Sequence, residues 1–244
     1  MLYCAEVILS MRKQPAWIPI PRYAYIPLII TPATNFFVYY FSRVIARDMR
    51  HYDLSLPIDR VIPFVGFFML IYVLAYVQWF AGYILIGREN RRTCYFFCAA
   101  DIIAKLICFV LFIALPTSMD RPDATVAGSG PFYFLTKLIF SLDPPNNLFP
   151  SIHCLESWFC LRAAFAMKKP PRWYRPVSVV FTLLVCASTV FVRQHVVVDI
   201  LGGIVVAEIG ILICRLTHAD RLFYKTEPAF AHDLPAAADG ADRA

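Results

Sequence analysis

Long apolar runs separated by short charged clusters dominate the chain. Five runs, at about residues 24–46, 61–86, 93–116, 176–192 and 196–216, are long enough to cross roughly 30 Å of hydrocarbon as helices. A sixth, shorter run fits at about 151–167. The pattern predicts an all-α membrane helix bundle with six spans over residues 23–216, preceded by a cytoplasmic segment, 1–22, and followed by a cytoplasmic tail, 217–244. No small-residue cleavage site follows a short apolar core in residues 1–22, so they are not expected to be a removed signal peptide. From Lys225 onward the chain is largely Ala, Asp and Pro, a composition expected to stay disordered.

Composition agrees with the pattern. Of 244 residues, 59% are hydrophobic and only 16% charged, which no ordinary soluble domain of this length needs. Orientation follows from the Lys and Arg bias of short loops. One side collects Arg88, Arg91 and Arg92, then Lys168, Lys169, Arg172 and Arg175, then Arg215 and Arg221, together with both termini, and is expected to be cytoplasmic. On the other, Arg47, Arg50 and Arg60 are offset by Asp48, Asp53 and Asp59, and a long loop at about 117–150 carries more acid than base. The chain thus reads as a multi-pass protein of the cell membrane whose partner is the bilayer. The net charge of +6 is mostly loop charge, and no basic face interleaved with aromatics suggests nucleic acid.

Eight cysteines fall mostly inside apolar runs. Cys94 and Cys98 are four apart, without the paired spacing and His partners of a zinc site, so they read as small packing residues and neither metal nor cofactor is expected. Ionisable residues inside spans are costly and need partners. Asp101 and Lys105, also four apart, can pair on one helical face. Arg162 and Glu208 have no partner that the sequence alone identifies.

Two further stretches carry candidate chemistry. In STVFVRQHVVVDILGG, residues 188–203, His195 and Asp199 are four apart, which on a helix sets the carboxylate one turn from the imidazole. A carboxylate there can hold one ring nitrogen and leave the other free as a nucleophile. In NNLFPSIHCLESWFC, residues 146–160, His153 follows Pro150 and Ser151 at an expected helix start, where a hydroxyl and free amides suit an anion. Arg121, before Pro122, offers a guanidinium fork that fits phosphate oxygens. The expected topology brings all of these to the outer face. One histidine attacking phosphorus while the other protonates the leaving oxygen is metal-free phosphoryl transfer through a phosphohistidine.

These residues resemble the type 2 phosphatidic acid phosphatase superfamily of membrane lipid phosphatases and phosphotransferases. Its blocks run Lys-x6-Arg-Pro, Pro-Ser-Gly-His and Ser-Arg-x5-His-x3-Asp; this chain has Arg121-Pro122, Pro150-Ser151-Ile152-His153, and Ser188-Thr189 with His195 and Asp199 at the same spacing. The resemblance covers about residues 95–210. It implies His195 as nucleophile, Asp199 as its orienter, His153 as general acid, and Arg121 with Ser151 as phosphate cradle. The chain departs from the blocks at Ala114, Ile152 and Thr189, where the family has Lys, Gly and Arg. Lys105 lies nine positions before Ala114, about 13 Å along a helix, and does not replace the missing lysine. Arg193, two residues before His195, is the candidate compensating cation. The form Phe149-Pro150-Ser151-Ile152-His153-Cys154 is similar to the branch that includes inositol phosphorylceramide synthases. The expected function is an outer-face lipid phosphate phosphatase. The alternatives are a lipid head-group phosphotransferase and, given the missing cations, a catalytically silent relative that binds lipid phosphate.

Overall fold

A computed structural model describes residues 20–225. The expected cytoplasmic segment up to residue 19 and the expected tail from residue 226 lie outside the described residues, whereas the start of that tail is ordered, with Arg221–Lys225 forming a short helix. The fold is all-α, with seven main helices: α1 (Tyr25–Ala46), α2 (Phe67–Glu89), α3 (Arg91–Ala114), α4 (Pro131–Leu142), α5 (Ile152–Ala166), α6 (Tyr174–Phe191) and α7 (Val197–Thr217).

Four of these, α2, α3, α6 and α7, are long and apolar enough to cross a membrane. Helix α1, with 22 residues, reaches about 33 Å, but Thr31, Pro32, Thr34, Asn35 and Ser42 dilute its apolar character. Helix α5, with 15 residues, reaches about 22 Å, less than the hydrocarbon thickness. The second run begins at Phe67 instead of residue 61, because Pro63 holds Ile62 extended (φ −68°, ψ 121°) and closes the one-turn helix Pro57–Val61. The expected loop at 117–150 contains α4, which starts at Pro131 behind Gly130 (φ 87°). Phe134, Leu138 and Leu142 recur at helical spacing and are exposed, as on an interfacial helix.

Large apolar side chains face outward all around the bundle, including Phe36 and Tyr40 of α1, Phe80 of α2, Leu183 of α6 and Leu201 and Leu216 of α7. A perimeter of this size fits hydrocarbon and not water. Hydrophobicity therefore does not distinguish inside from outside here, and small residues set the helix contacts instead. Helix α3 is central, packed between α1 and α7 and also touching α2 and α5. On α7, a Cβ added to Gly210 would stand 2.6 Å from the Ala100 carbonyl oxygen of α3, so glycine sets that approach.

The pair expected in α3 forms, with Lys105 Nζ 2.8 Å from Asp101 Oδ2, and it is one edge of a larger set. Glu156 of α5 approaches the same ammonium at 2.6 Å. The Tyr83 hydroxyl lies 2.5 Å from Asp101 Oδ2 and 2.8 Å from Glu156 Oε2, and Lys105 also donates to the Thr31 carbonyl at 3.2 Å. Lys105 thus faces two buried carboxyls at once. Lys105→Met is expected to lower stability by about 3–5 kcal/mol, whereas replacing Lys105, Asp101 and Glu156 together by apolar residues of similar volume recovers most of the loss. Unfolding midpoints of the detergent-solubilised variants check this; equal loss in both variants would contradict it.

The helices sort their connections to two ends. One end collects 47–66, 115–151 and 192–196, joined where Tyr52 N donates to Pro116 O and Val65 N to Phe191 O. At the other, Glu89 accepts from the amides of Lys168 and Lys169. All the candidate site residues lie at the first end.

Candidate active site

The turn between α6 and α7 carries His195. Helix α6 ends at Phe191, Arg193 takes a left-handed backbone (φ 56°), and the amides of Gln194 and His195 both donate to Thr189 O at 3.0 Å. His195 therefore precedes α7, so it does not share a helix with Asp199 as the spacing predicts. Their contact survives because Asp199 sits in the first turn of α7, where its carboxylate satisfies an otherwise unbonded amide. Asp199 Oδ2 accepts from Val196 N at 3.0 Å and lies 3.2 Å from His195 Nδ1. Asp199 is fully buried, and Oδ2 is the oxygen that carries these contacts. With Nδ1 turned to the carboxylate, the free nitrogen of His195 is Nε2.

Two adjacent glycines bring the second block onto this turn. A Cβ on Gly203 would stand 2.4 Å from Ser151 O, and one on Gly202 would stand 2.4 Å from the Phe149 ring. The segment from Phe149 to Ser151 thus lies directly against α7, with Ser151 N donating to Asp199 O at 3.0 Å. The Ser151 amide is consequently not free for an anion. Its Oγ accepts from Cys154 N at 3.4 Å as the cap of α5 and keeps its own hydrogen to donate. The amides of Ile152 and His153 occupy the first turn, where no intrahelical acceptor exists.

His153 follows one residue into α5. Its ring stacks on Tyr72 (centroids 4.0 Å apart, planes at 20°), meets Tyr76 edge-on at 5.5 Å and lies 4.9 Å from Trp79. These three aromatics are four and three residues apart on one face of α2. Trp79 Nε1 donates to Ser157 Oγ at 2.9 Å, which ties that face to α5. The His153 and His195 rings are 6.4 Å apart, and His153 Nε2 is a buried nitrogen without a partner among the described residues.

Arg121, in the 115–130 loop, is tied to the histidine turn through Gln194. It donates to Gln194 Oε1 at 2.8 Å, to Asp143 O at 2.9 Å and to Phe140 O at 2.9 Å, and lies 3.8 Å over the Phe140 ring. Partial burial pulls its pKa below the ordinary arginine value, with Asp143 acting in the opposite sense. Asp143 in turn accepts from the Tyr39 and Tyr72 hydroxyls, so Tyr72 links the Arg121 loop to the His153 stack. A cavity of about 450 Å³ opens beside Arg121, with Asp120, Lys137 and Ser141 among its lining residues.

Arg193 is oriented differently from the expectation of a phosphate ligand. Its guanidinium donates to Asp59 O at 2.6 Å and to Ile62 O, because the left-handed turn directs it toward the one-turn helix. Thr189, where the family has arginine, is fully buried, with Oγ1 donating to Cys186 O at 2.8 Å. Ala114 is the last residue of α3.

Several residues escaped sequence reasoning. Gln194, buried beside His195, joins Arg121 to the histidine turn. Asp59 accepts from Leu56 N at 2.7 Å and from Val197 N at 2.8 Å, capping two helix starts at once. Its place two residues after Pro57 is a capping signal; its second partner, 138 residues away, leaves none. Tyr72, Tyr76 and Trp79 recur at helical spacing, but nothing in the sequence marks them as a wall for His153. Among the described residues no group of three or more His, Cys, Asp or Glu side chains converges as a metal-ligand set.

The sequence matches the family model described as the PAP2 superfamily over residues 93–223, more than half of the chain. No curated protein and no solved structure gives a match.

Proposed function

The chain belongs to the PAP2 superfamily, and on that premise we propose that it is a multi-pass membrane lipid phosphatase acting through a phosphohistidine on His195. The observation that carries this reading is the buried pair of His195 Nδ1 and Asp199 Oδ2 at 3.2 Å, with the His153 ring 6.4 Å from that of His195. His195 Nε2 attacks phosphorus and the bond from phosphorus to the leaving oxygen breaks. His153 gives that oxygen its proton, and Asp199 stabilises the positive charge that forms on the His195 ring. Water, deprotonated by His153, then attacks the phosphohistidine, the P–N bond breaks, and inorganic phosphate leaves.

Negative charge on the phosphoryl oxygens is met by Arg121, the Ser151 hydroxyl and the amides at the start of α5. Arg193 serves this cradle from behind, holding the 59–62 segment against the histidine turn. The domain spans residues 23–216 and crosses the membrane six times, with α1 completing its length through flanking polar residues and α5 sheltered within the bundle. Both termini are cytoplasmic and the site faces outward, a reading supported by the Lys and Arg bias of the opposite end.

A second reading is favoured by the cavity beside Arg121. Its Asp120, Lys137 and Ser141 offer polar groups for an alcohol, which could take the phosphoryl group in place of water, as in the branch with inositol phosphorylceramide synthases. The test is the full-length protein in detergent with a panel of lipid phosphates, with and without alcohol acceptors and with a chelator, following free phosphate and lipid products. Release of phosphate at a rate unchanged by chelation is expected, since the cradle is built from Arg121 and hydrogen-bond donors. A lipid product that appears only with acceptor identifies the transferase. A strict divalent-metal requirement contradicts the proposed mechanism, and no turnover of any lipid phosphate favours the silent relative.

A further inference from the structure

Three arginines on three helices surround a second cavity, of about 590 Å³, at the end of the bundle opposite His195. Arg92 stands in the first turn of α3, Arg162 near the end of α5 and Arg215 in the last turns of α7. Sixteen residues of α7 separate Arg215 from Asp199, about 24 Å along the axis, so this cavity is not part of the catalytic end.

Charge in the cavity is unbalanced. Arg162 Nε is held 3.0 Å from Glu208 Oε1, and Trp158 Nε1 donates to the same oxygen at 2.6 Å, which fixes that guanidinium and uses that carboxylate. Among the described residues, Asp220 is the one carboxylate lining the cavity, against three arginines. Neither Arg92 nor Arg215 forms an ion pair with any described residue. Thr93 and His218 add polar groups to the lining, while Phe96, Phe97 and Ile211 form an apolar wall and Phe165 is exposed on the outer surface. Cations at the membrane edge above an aromatic wall suit a molecule with an anionic head and a hydrocarbon tail.

We propose that this cavity binds the phosphate headgroup of an anionic lipid from the leaflet opposite the catalytic end, with Arg92 and Arg215 holding the phosphate and the tail lying along Phe165. Guanidinium forks suit phosphate oxygens, and hydrocarbon contact along the phenyl ring distinguishes a lipid from a free anion.

The test is native mass spectrometry of the full-length protein released from micelles doped with phosphatidylglycerol or phosphatidylcholine. Arg92 and Arg215 are exposed, so Arg92→Gln with Arg215→Gln leaves the core intact. The double variant is expected to retain phosphatidylglycerol roughly tenfold more weakly than wild type, the scale of one lost charge-assisted contact. Phosphatidylcholine retention should not change. The His195→Ala variant should retain phosphatidylglycerol as wild type does, which separates this site from the catalytic one. Equal retention by the double variant and wild type would overturn the proposal. So would displacement of the lipid by millimolar glycerol phosphate, which shares the head but lacks the tail.

Discussion

Replacement of His195 by alanine is expected to remove turnover, lowering the rate by about 10⁴-fold or more, as loss of a covalent nucleophile does elsewhere. Structural damage does not explain such a loss, because Asp199 Oδ2 keeps its bond from the Val196 amide and α7 keeps its cap. The amide of residue 195 also keeps its bond to Thr189 O. Phosphate release by the purified variant, read beside an unchanged unfolding midpoint, checks the expectation. Activity above a few per cent of wild type would remove His195 from the role of nucleophile.

The second large effect is expected at His153, and its form matters more than its size. A general acid contributes about 10²–10⁴-fold, and chiefly where the leaving oxygen needs its proton. His153→Ala also opens a gap against Tyr72, Tyr76 and Trp79, so His153→Phe, which keeps an aromatic ring in the stack, is the better variant. Its rate on an alkyl phosphate is expected to fall by that factor, and its rate on a nitrophenyl phosphate, whose leaving group departs as an anion, to fall far less. The same loss on both substrates would assign His153 to binding instead of proton transfer.

Residues near one another in sequence were the legible ones. His195 and Asp199 could be paired from their spacing, although the pairing rests on a helix cap and not on a shared helix. Lys105 and Asp101 could be paired in the same way, but Glu156 and Tyr83 reach them from other helices, and no local pattern announces such a partner. Helix α4 was hidden because Gly128, Ser129, Gly130 and Pro131 read as loop, while Phe134, Leu138 and Leu142 behind them keep a helical period. The direction of Arg193 depends on one backbone angle, φ 56°, which sequence does not disclose for a residue other than glycine. Gly202 and Gly203 stand in the quoted motif, yet their purpose appears only when Phe149 and Ser151 are seen against them.

A covalent phosphoryl group on His195 is the feature on which the proposed chemistry turns. Full-length protein mixed with a lipid phosphate labelled with radioactive phosphorus, stopped in alkali within the first turnover and digested, tests it directly, since a phosphohistidine survives alkali and is lost in acid. The predicted result is an acid-labile label confined to the peptide that carries His195 and absent from His195→Ala. Phosphate release without label on the protein, or label on another residue, would contradict it.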